Sequence, residues 1–231
     1  MFELLQHSGF VHDIELLEEP PPYYYDPSQL AFSFEDIEAI VAQFPADKKW
    51  TAQDLENPYI FPPDCPFKIE ILNYQLYIMR PTIRHQQILT RVSAFMEVFA
   101  FQNNLGNVYV APVGLEISEG TVLEPDFIFV SVAKKHIVQD DKKITEAPDL
   151  VVEVISPSNY KKLREEKKKQ YAAFGIEEYW EIYPSKALVR IETLHEDGYK
   201  LYSEAQESGT VQSKVLAGFE LEISQLFGGR S

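Results

Sequence analysis

Two short stretches set a carboxylate inside a segment that otherwise reads as a buried strand. They are Glu124-Pro125-Asp126-Phe127-Ile128-Phe129-Val130 and Pro148-Asp149-Leu150-Val151-Val152-Glu153-Val154-Ile155-Ser156. Both are apolar runs rich in β-branched and aromatic residues, the pattern of a strand covered on both faces. A carboxylate there is costly unless it is neutralised or meets a cation, a metal or several hydrogen-bond donors. Alternation puts Asp149, Val151, Glu153 and Ile155 on one face and Leu150, Val152 and Val154 on the other. Asp126 follows Pro125 at the start of its strand, where a proline does least harm. If the two strands are neighbours, Asp126 and Glu153 can reach one Mg²⁺, a hard cation that takes oxygen ligands and keeps several waters. The plainer alternative is that Asp126 caps a strand end and Glu153 pairs with a structural arginine.

A basic segment adds to the case for chemistry. Leu163, Lys167, Tyr171 and Phe174 are spaced four, four and three, which places them on one helix face. Lys167 thus interrupts an apolar stripe, while Lys168 and Lys169 are expected to face solvent. An inward lysine needs an acid partner, unless its head snorkels to water. Glu70, in Phe67-Lys68-Ile69-Glu70-Ile71-Leu72, is a further acid between apolar neighbours. His85 follows Arg84 near the start of a long helix, as a cleft residue or as a surface or capping one. The four residues Glu70, Asp126, Glu153 and Lys167 together are harder to explain as structure than any one of them.

The elements that must position these groups can be read from the same pattern. Lys68 to Met79 reads as a hairpin turning near Asn73-Tyr74. Pro81-Thr82 opens a helix to about Gln102, with Ile88, Leu89, Val92, Phe95, Met96, Val98 and Phe99 as its buried side. Strands at 108–112 and 115–117 precede the two carboxylate strands. A basic helix runs from Asn159 to Gly175, whose position suits the end of a helix. A meander follows at 178–183, 187–194 and 199–204, and 223–227 is a short last helix. This order gives an α/β (mixed α+β) domain around a mixed sheet over residues 67–231. Residues 1–66 read as an acidic, proline-rich arm. Its run Glu18-Glu19-Pro20-Pro21-Pro22-Tyr23-Tyr24-Tyr25-Asp26-Pro27 suits a polyproline-like linker, packed on its own chain, on a sister subunit or in a partner's groove. Ser33, with Asp36 in the capping-box position, starts a helix to about Phe44, and Thr51 caps a short turn.

Composition narrows the classes. With 45 % hydrophobic and 13 % aromatic residues the chain is globular rather than disordered. The single cysteine, Cys65, excludes an intramolecular disulfide and a cysteine-cluster zinc site. Acids at Glu3, Asp13, Glu15, Glu18 and Glu19 argue against a signal peptide, and no run is long enough to span a bilayer, so a cytoplasmic protein without membrane attachment is expected. The formal net charge of −15 runs against a nucleic-acid partner, whose backbone calls for basic surface. The candidate basic patch is Lys161, Lys162, Arg164, Lys167, Lys168 and Lys169, with Arg80, Arg84 and Arg91 elsewhere.

The order Glu70, Arg84-His85-Gln86, Pro125-Asp126, Pro148 through Ser158, Glu166-Lys167, Tyr171, Gly175 and Glu178-Tyr179-Trp180 closely resembles the Uma-two family of restriction-endonuclease-like proteins, in the PD-(D/E)XK superfamily. The resemblance covers about residues 67 to 227. It implies a restriction-endonuclease-like core, a mixed central sheet flanked by helices, and a Mg²⁺- or Mn²⁺-dependent endonuclease acting on DNA, a hydrolase suited to a homodimer. It further implies that Asp126, Glu153 and the backbone carbonyl of Ile155 are the metal ligands. The superfamily's usual lysine would stand at Ile155, and Lys167 resembles its relocated substitute. Glu70 resembles an additional site acid, and His85 a cleft residue. A second departure is Asn73-Tyr74-Gln75, where relatives commonly show Asp-Gly-Glu; it bears on the hairpin more than on the chemistry. Two other classes stay open: a catalytically lapsed nuclease-fold protein acting as a binding or regulatory partner, and a structural homo-oligomer joined through its arm.

Overall fold

The computed structural model describes residues 33–62, 65–140, 142–156 and 161–228 of the chain. The proline-rich run of the arm and the expected helix start at Asn159 lie outside them. The chain divides into two compact units, one of Met1–Asp47 with Leu55–Cys65, the other of Lys48–Asp54 with Pro66–Ser231. In the first, α1 (Phe34–Val41) begins with the expected reciprocal cap. Asp36 N–H donates to Ser33 Oγ at 3.1 Å, and Ser33 N–H donates to Asp36 Oδ2 at 2.7 Å. The helix stops at Val41 rather than near Phe44, with Ile37 and Ile40 buried.

The second unit holds β1 (Lys68–Leu72), β2 (Gln75–Met79), α2 (Ile83–Gln102), β3 (Gly106–Val110), β4 (Leu115–Ser118), β5 (Thr121–Leu123) and β6 (Phe127–Ser131). β7 (Leu150–Val154), α3 (Lys161–Phe174), β8 (Glu178–Tyr183), β9 (Leu188–His195), β10 (Gly198–Gln206), β11 (Thr210–Gln212), β12 (Glu220–Glu222) and α4 (Ser224–Phe227) follow. The main sheet runs β10-β9-β8-β7-β6-β3, and a smaller one runs β2-β1-β5-β4. Only β7 and β8 pair in parallel in the main sheet, as the α3 crossover between them requires. Two cores explain why β6 and β7 read as continuous apolar runs. Leu150, Val152, Val154, Phe127 and Phe129 face α2 in one core; Val151, Ile128, Val130 and α3's Tyr171 lie in the other.

The α2 stripe differs from the expected one. Steps of four from Ile88 and Val92 carry it to Met96 and Ala100, all buried, which leaves Phe95 39 % and Val98 55 % exposed. The β1–β2 hairpin forms in regular register without the Asp-Gly-Glu turn. Asn73 and Tyr74 take positive φ of 52° and 64°, as a two-residue hairpin turn requires. Tyr74 is fixed there by N–H donation to Gly120 O at 2.8 Å, and its ring lies so close that a Cβ on Gly120 would meet it at 2.6 Å. The segment Lys48–Asp54 joins the same corner, with Trp50 N–H donating to Tyr74 O at 3.0 Å. Among the described residues no helix is long and apolar enough to cross a membrane.

Candidate active site

The chain passes from the small sheet to the main one through Glu124-Pro125-Asp126, between β5 and β6, and the site forms at that crossing. Alternation on β1 turns Lys68 and Glu70 to the same face. β7 brings Glu153, α3 brings Lys167 and Tyr171, and the first turn of α2 brings His85. Asp126 is anchored as β6 begins: Val154 N–H donates to its Oδ2 at 2.6 Å, and its own N–H donates to Val152 O at 3.1 Å.

All five expected side chains come together. Lys167 Nζ stands 2.9 Å from Glu70 Oε1 and 2.5 Å from Glu153 Oε1, and His85 Nε2 lies 3.3 Å from Asp126 Oδ1. Glu70, Asp126, Glu153, Lys167 and His85 are each less than a tenth exposed. Glu153 therefore meets lysines and the Tyr171 hydroxyl, which donates to Oε1 at 2.6 Å, rather than a structural arginine. Lys167 does not snorkel: its head ends among acids. Ile155 follows β7 between Val154 and Ser156, both of which line the cleft, and its N–H donates to Ile182 O at 2.7 Å.

Lys68 was not expected here. Its Nζ lies 3.0 Å from Asp126 Oδ1, 3.4 Å from Glu153 Oε2 and 3.7 Å from Glu70 Oε1. The signal was available in the sequence: Lys68 precedes Glu70 by two, the period that puts two strand residues on one face.

The electrostatics follow from this packing. Burial alone would raise Asp126, but Lys68, His85 and the Val154 N–H outweigh it and hold the carboxyl well below the usual range. Burial would lower Lys68, yet Asp126, Glu153 and Glu70 hold it well above its ordinary value. Burial, helped by the Glu153 charge, pushes the Tyr171 hydroxyl well up. Glu124, buried beside Glu70, is pushed up to about 7.

A cleft of about 300 Å³ opens on this cluster, with Lys68, His85, Asp126, Glu153 and Lys167 at one side and Tyr77, Met79 and Leu163 on its apolar wall. The donor set suits a hard divalent cation. Asp126 Oδ1 and Glu153 Oε2 converge on one positively charged centre, and Glu70 Oε2 is buried with no hydrogen-bond partner among the described residues. Among those residues no three His, Cys, Asp or Glu side chains are grouped to hold a metal, so two carboxylates would need backbone and water to complete the shell.

The family described as Uma2, putative restriction endonuclease, matches residues 59–224. The chain belongs to the Uma2 family. A crystal structure of "a putative nuclease belonging to DUF820" from Anabaena variabilis superposes with a TM-score of 0.58, at 14 % identity, over 69 % of this chain and 89 % of that one. At that identity the likeness shows the fold, and the fold is restriction-endonuclease-like. A search of curated proteins finds no match.

Not every residue that marks this Uma2 chain serves the site. Glu178, of Glu178-Tyr179-Trp180, accepts from Trp180 Nε1 and Ser213 Oγ on Oε1 and from the Lys214 and Val215 N–H groups on Oε2, at 2.6 to 3.0 Å. Part of the candidate basic patch is engaged by acids. Lys168, expected in solvent, pairs with Glu192, and Arg164 stands 3.2 Å from Glu181, because acids on β8 and β9 face α3. Arg84 and Arg91 donate to the backbone carbonyls of Phe227, Leu226 and Gly228, at and after the end of α4. Arg80, Lys161, Lys162 and Lys169 are the exposed remainder.

Proposed function

We propose that this Uma2 protein is a metal-dependent endonuclease that hydrolyses phosphodiester bonds in DNA. The observation that carries the reading is the convergence of Asp126 Oδ1 and Glu153 Oε2 on one cationic position beside an open cleft. Mg²⁺ or Mn²⁺ would be held by Asp126, Glu153 and the Ile155 carbonyl, and would supply Lewis acidity and a more acidic bound water. Tyr171 and Lys167 occupy Glu153 Oε1, which fixes the carboxylate and leaves Oε2 on the cleft side. The Val154 N–H holds Asp126 through Oδ2, while His85 lies 3.3 Å from Oδ1, the oxygen on the metal side. Lys167, steadied by Glu70, is placed to orient the attacking water or to offset charge growing on the phosphoryl oxygens. Exposed Arg80, at the cleft, and Lys161 and Lys162, at the start of α3, are cations available to a phosphate backbone. Two-strand cleavage of a duplex suits a homodimer, which sedimentation of the full chain would test.

The test is nicking of supercoiled plasmid and of single-stranded DNA with Mg²⁺ or Mn²⁺, comparing wild type with Asp126→Ala and Lys167→Ala. Metal-dependent cleavage lost in both variants is the expected result. A folded, metal-bound wild type that cuts neither DNA nor RNA would overturn the reading in favour of a binding role for the same fold.

A further inference from the structure

The two lysines of the site divide the Glu153 carboxylate between them, and the division is unequal in kind. Lys167 takes Oε1, shared with the Tyr171 hydroxyl, and its other contact is Glu70 Oε1. Both lysines line the cleft, but the Lys167 side chain is 5 % exposed against 11 % for Lys68. Lys68 takes Oε2, and the same ammonium reaches Asp126 Oδ1 and Glu70 Oε1. It therefore sits among acids supplied by β1, by the turn before β6 and by β7, on the side where the cleft opens. Those two oxygens, Asp126 Oδ1 and Glu153 Oε2, are the ones the proposed metal would use.

We infer that Lys68 is a tethered stand-in for the divalent cation: it holds the acids together in the metal-free protein and must leave for metal to enter. The inference rests on the metal reading given above. Without Lys68, Glu70, Asp126 and Glu153 would face the single ammonium of Lys167 and would repel one another in a poorly hydrated corner. A Lys68 ammonium among them removes that cost and keeps the ligands in place. A divalent ion bound at the same oxygens would lie within a few ångströms of Lys68, and like charges that close in a buried site repel strongly. The lysine carries its charge on a flexible four-carbon stem and lines the cleft, so it has somewhere to go. Lys68 consequently sets how tightly the site holds metal.

The experiment uses the full chain and Mn²⁺ alone, with free Mn²⁺ followed by its paramagnetic resonance signal during titration of wild type, Lys68→Met and Lys68→Arg. The methionine keeps the stem and removes the charge. It is expected to bind Mn²⁺ on the order of tenfold more tightly than wild type, while the arginine variant binds no more tightly. A second readout needs no variant: acetic anhydride labelling of Lys68, followed by peptide mass spectrometry, should rise when Mn²⁺ saturates the wild-type protein. Folded Lys68→Met with unchanged or weaker affinity, or Lys68 labelling that stays constant or falls with Mn²⁺, overturns the inference and leaves the metal site standing. If neither wild type nor variant binds Mn²⁺, the metal reading fails and the inference goes with it. Should Lys68→Met not fold, the labelling result on wild type decides alone.

Discussion

Glu153 and Glu178 lie on adjacent, parallel strands, each with apolar neighbours and each buried, yet their surroundings differ in kind. Glu178 is met by four neutral donors, two on each oxygen, and none of them is a cation. Its charge is solvated by fixed dipoles, which closes the 213–216 turn against β8. Glu153 is met by two ammonium groups and one hydroxyl, and one of its oxygens lies beside a cleft. A carboxylate satisfied by N–H and O–H dipoles has no need of anything from outside. One satisfied by ammonium groups at the edge of an open space can exchange a cation for another. The type of partner, more than burial, separates the acid that builds the fold from the acid we propose as a metal ligand.

The largest expected effect comes from removing the acid at the cleft. Glu153→Ala should lower metal-dependent cleavage by roughly a thousandfold or more, about 4 kcal/mol of lost transition-state stabilisation, as a metal ligand should. Single-turnover cleavage rates measure it, and a variant as fast as wild type with unaltered metal binding would break the comparison. Glu178→Ala should do the reverse. It orphans four buried donors and should cost about 3–4 kcal/mol of stability in urea unfolding, with activity per folded molecule retained below the transition. Glu178→Gln keeps an acceptor on one side only and should fall between. If Glu178→Ala instead left stability unchanged and abolished cleavage, the two acids would have been assigned the wrong way round.

Much of this was legible in the sequence, and the reasons for the rest are physical. Strand alternation and helix spacing turn Glu153, Asp126, Glu70 and Lys167 inward because those periods are fixed by backbone geometry. The same periods placed β8 at its observed bounds and gave the inward face of α3. What periodicity cannot show is the partner across a sheet or a helix interface. Lys168 looked like solvent because its own helix says nothing of Glu192 on β9. Arg84 and Arg91 looked like a phosphate-binding surface because the carbonyls they meet lie more than 130 residues away in sequence. Glu178 and Glu153 are indistinguishable as isolated letters in apolar runs, and only the 213–216 turn, unread as a partner, tells them apart. Lys68 is different, since its period-two relation to Glu70 carried the information.

Glu124 sharpens the comparison from within the site. It is pushed up to about 7 by burial first and by the Glu70 charge second, so it binds its proton more tightly folded than unfolded. Below about pH 4 both states hold the proton and nothing is gained or lost. Between there and about 7 the folded state keeps a proton the unfolded state releases, so stability falls as pH rises, by up to about 3 kcal/mol once the window is crossed. Asp126, two residues on, has the opposite sign: its lowered value contributes stability above the ordinary carboxylate range, lost as the pH falls below that range. Glu124→Gln should therefore melt higher than wild type at pH 8 and at the same temperature near pH 4, measured without metal. A gain of equal size at both pH values would mean that packing rather than charge was relieved.

The smallest effect tests whether the split between structural and functional side chains extends from acids to bases. Arg91 Nη1 donates to Leu226 O at 2.6 Å and Gly228 O at 2.8 Å, carbonyls at the end of α4 that have few partners within a helix only four residues long. The guanidinium also carries favourable charge to a helix C-terminus. Arg91→Ala should cost about 1 kcal/mol, the net worth of one such partly exposed interaction, and lower the melting temperature by a few degrees. DNA binding should keep its salt dependence, because no phosphate contact is lost. Replacing Lys161 and Lys162 together should do the converse, leaving stability alone and flattening the salt dependence by up to about two charges' worth. An Arg91→Ala protein of unaltered stability but shallower salt dependence would return this arginine to the nucleic-acid surface, and would show that a carbonyl contact in the free protein can be given up to a phosphate.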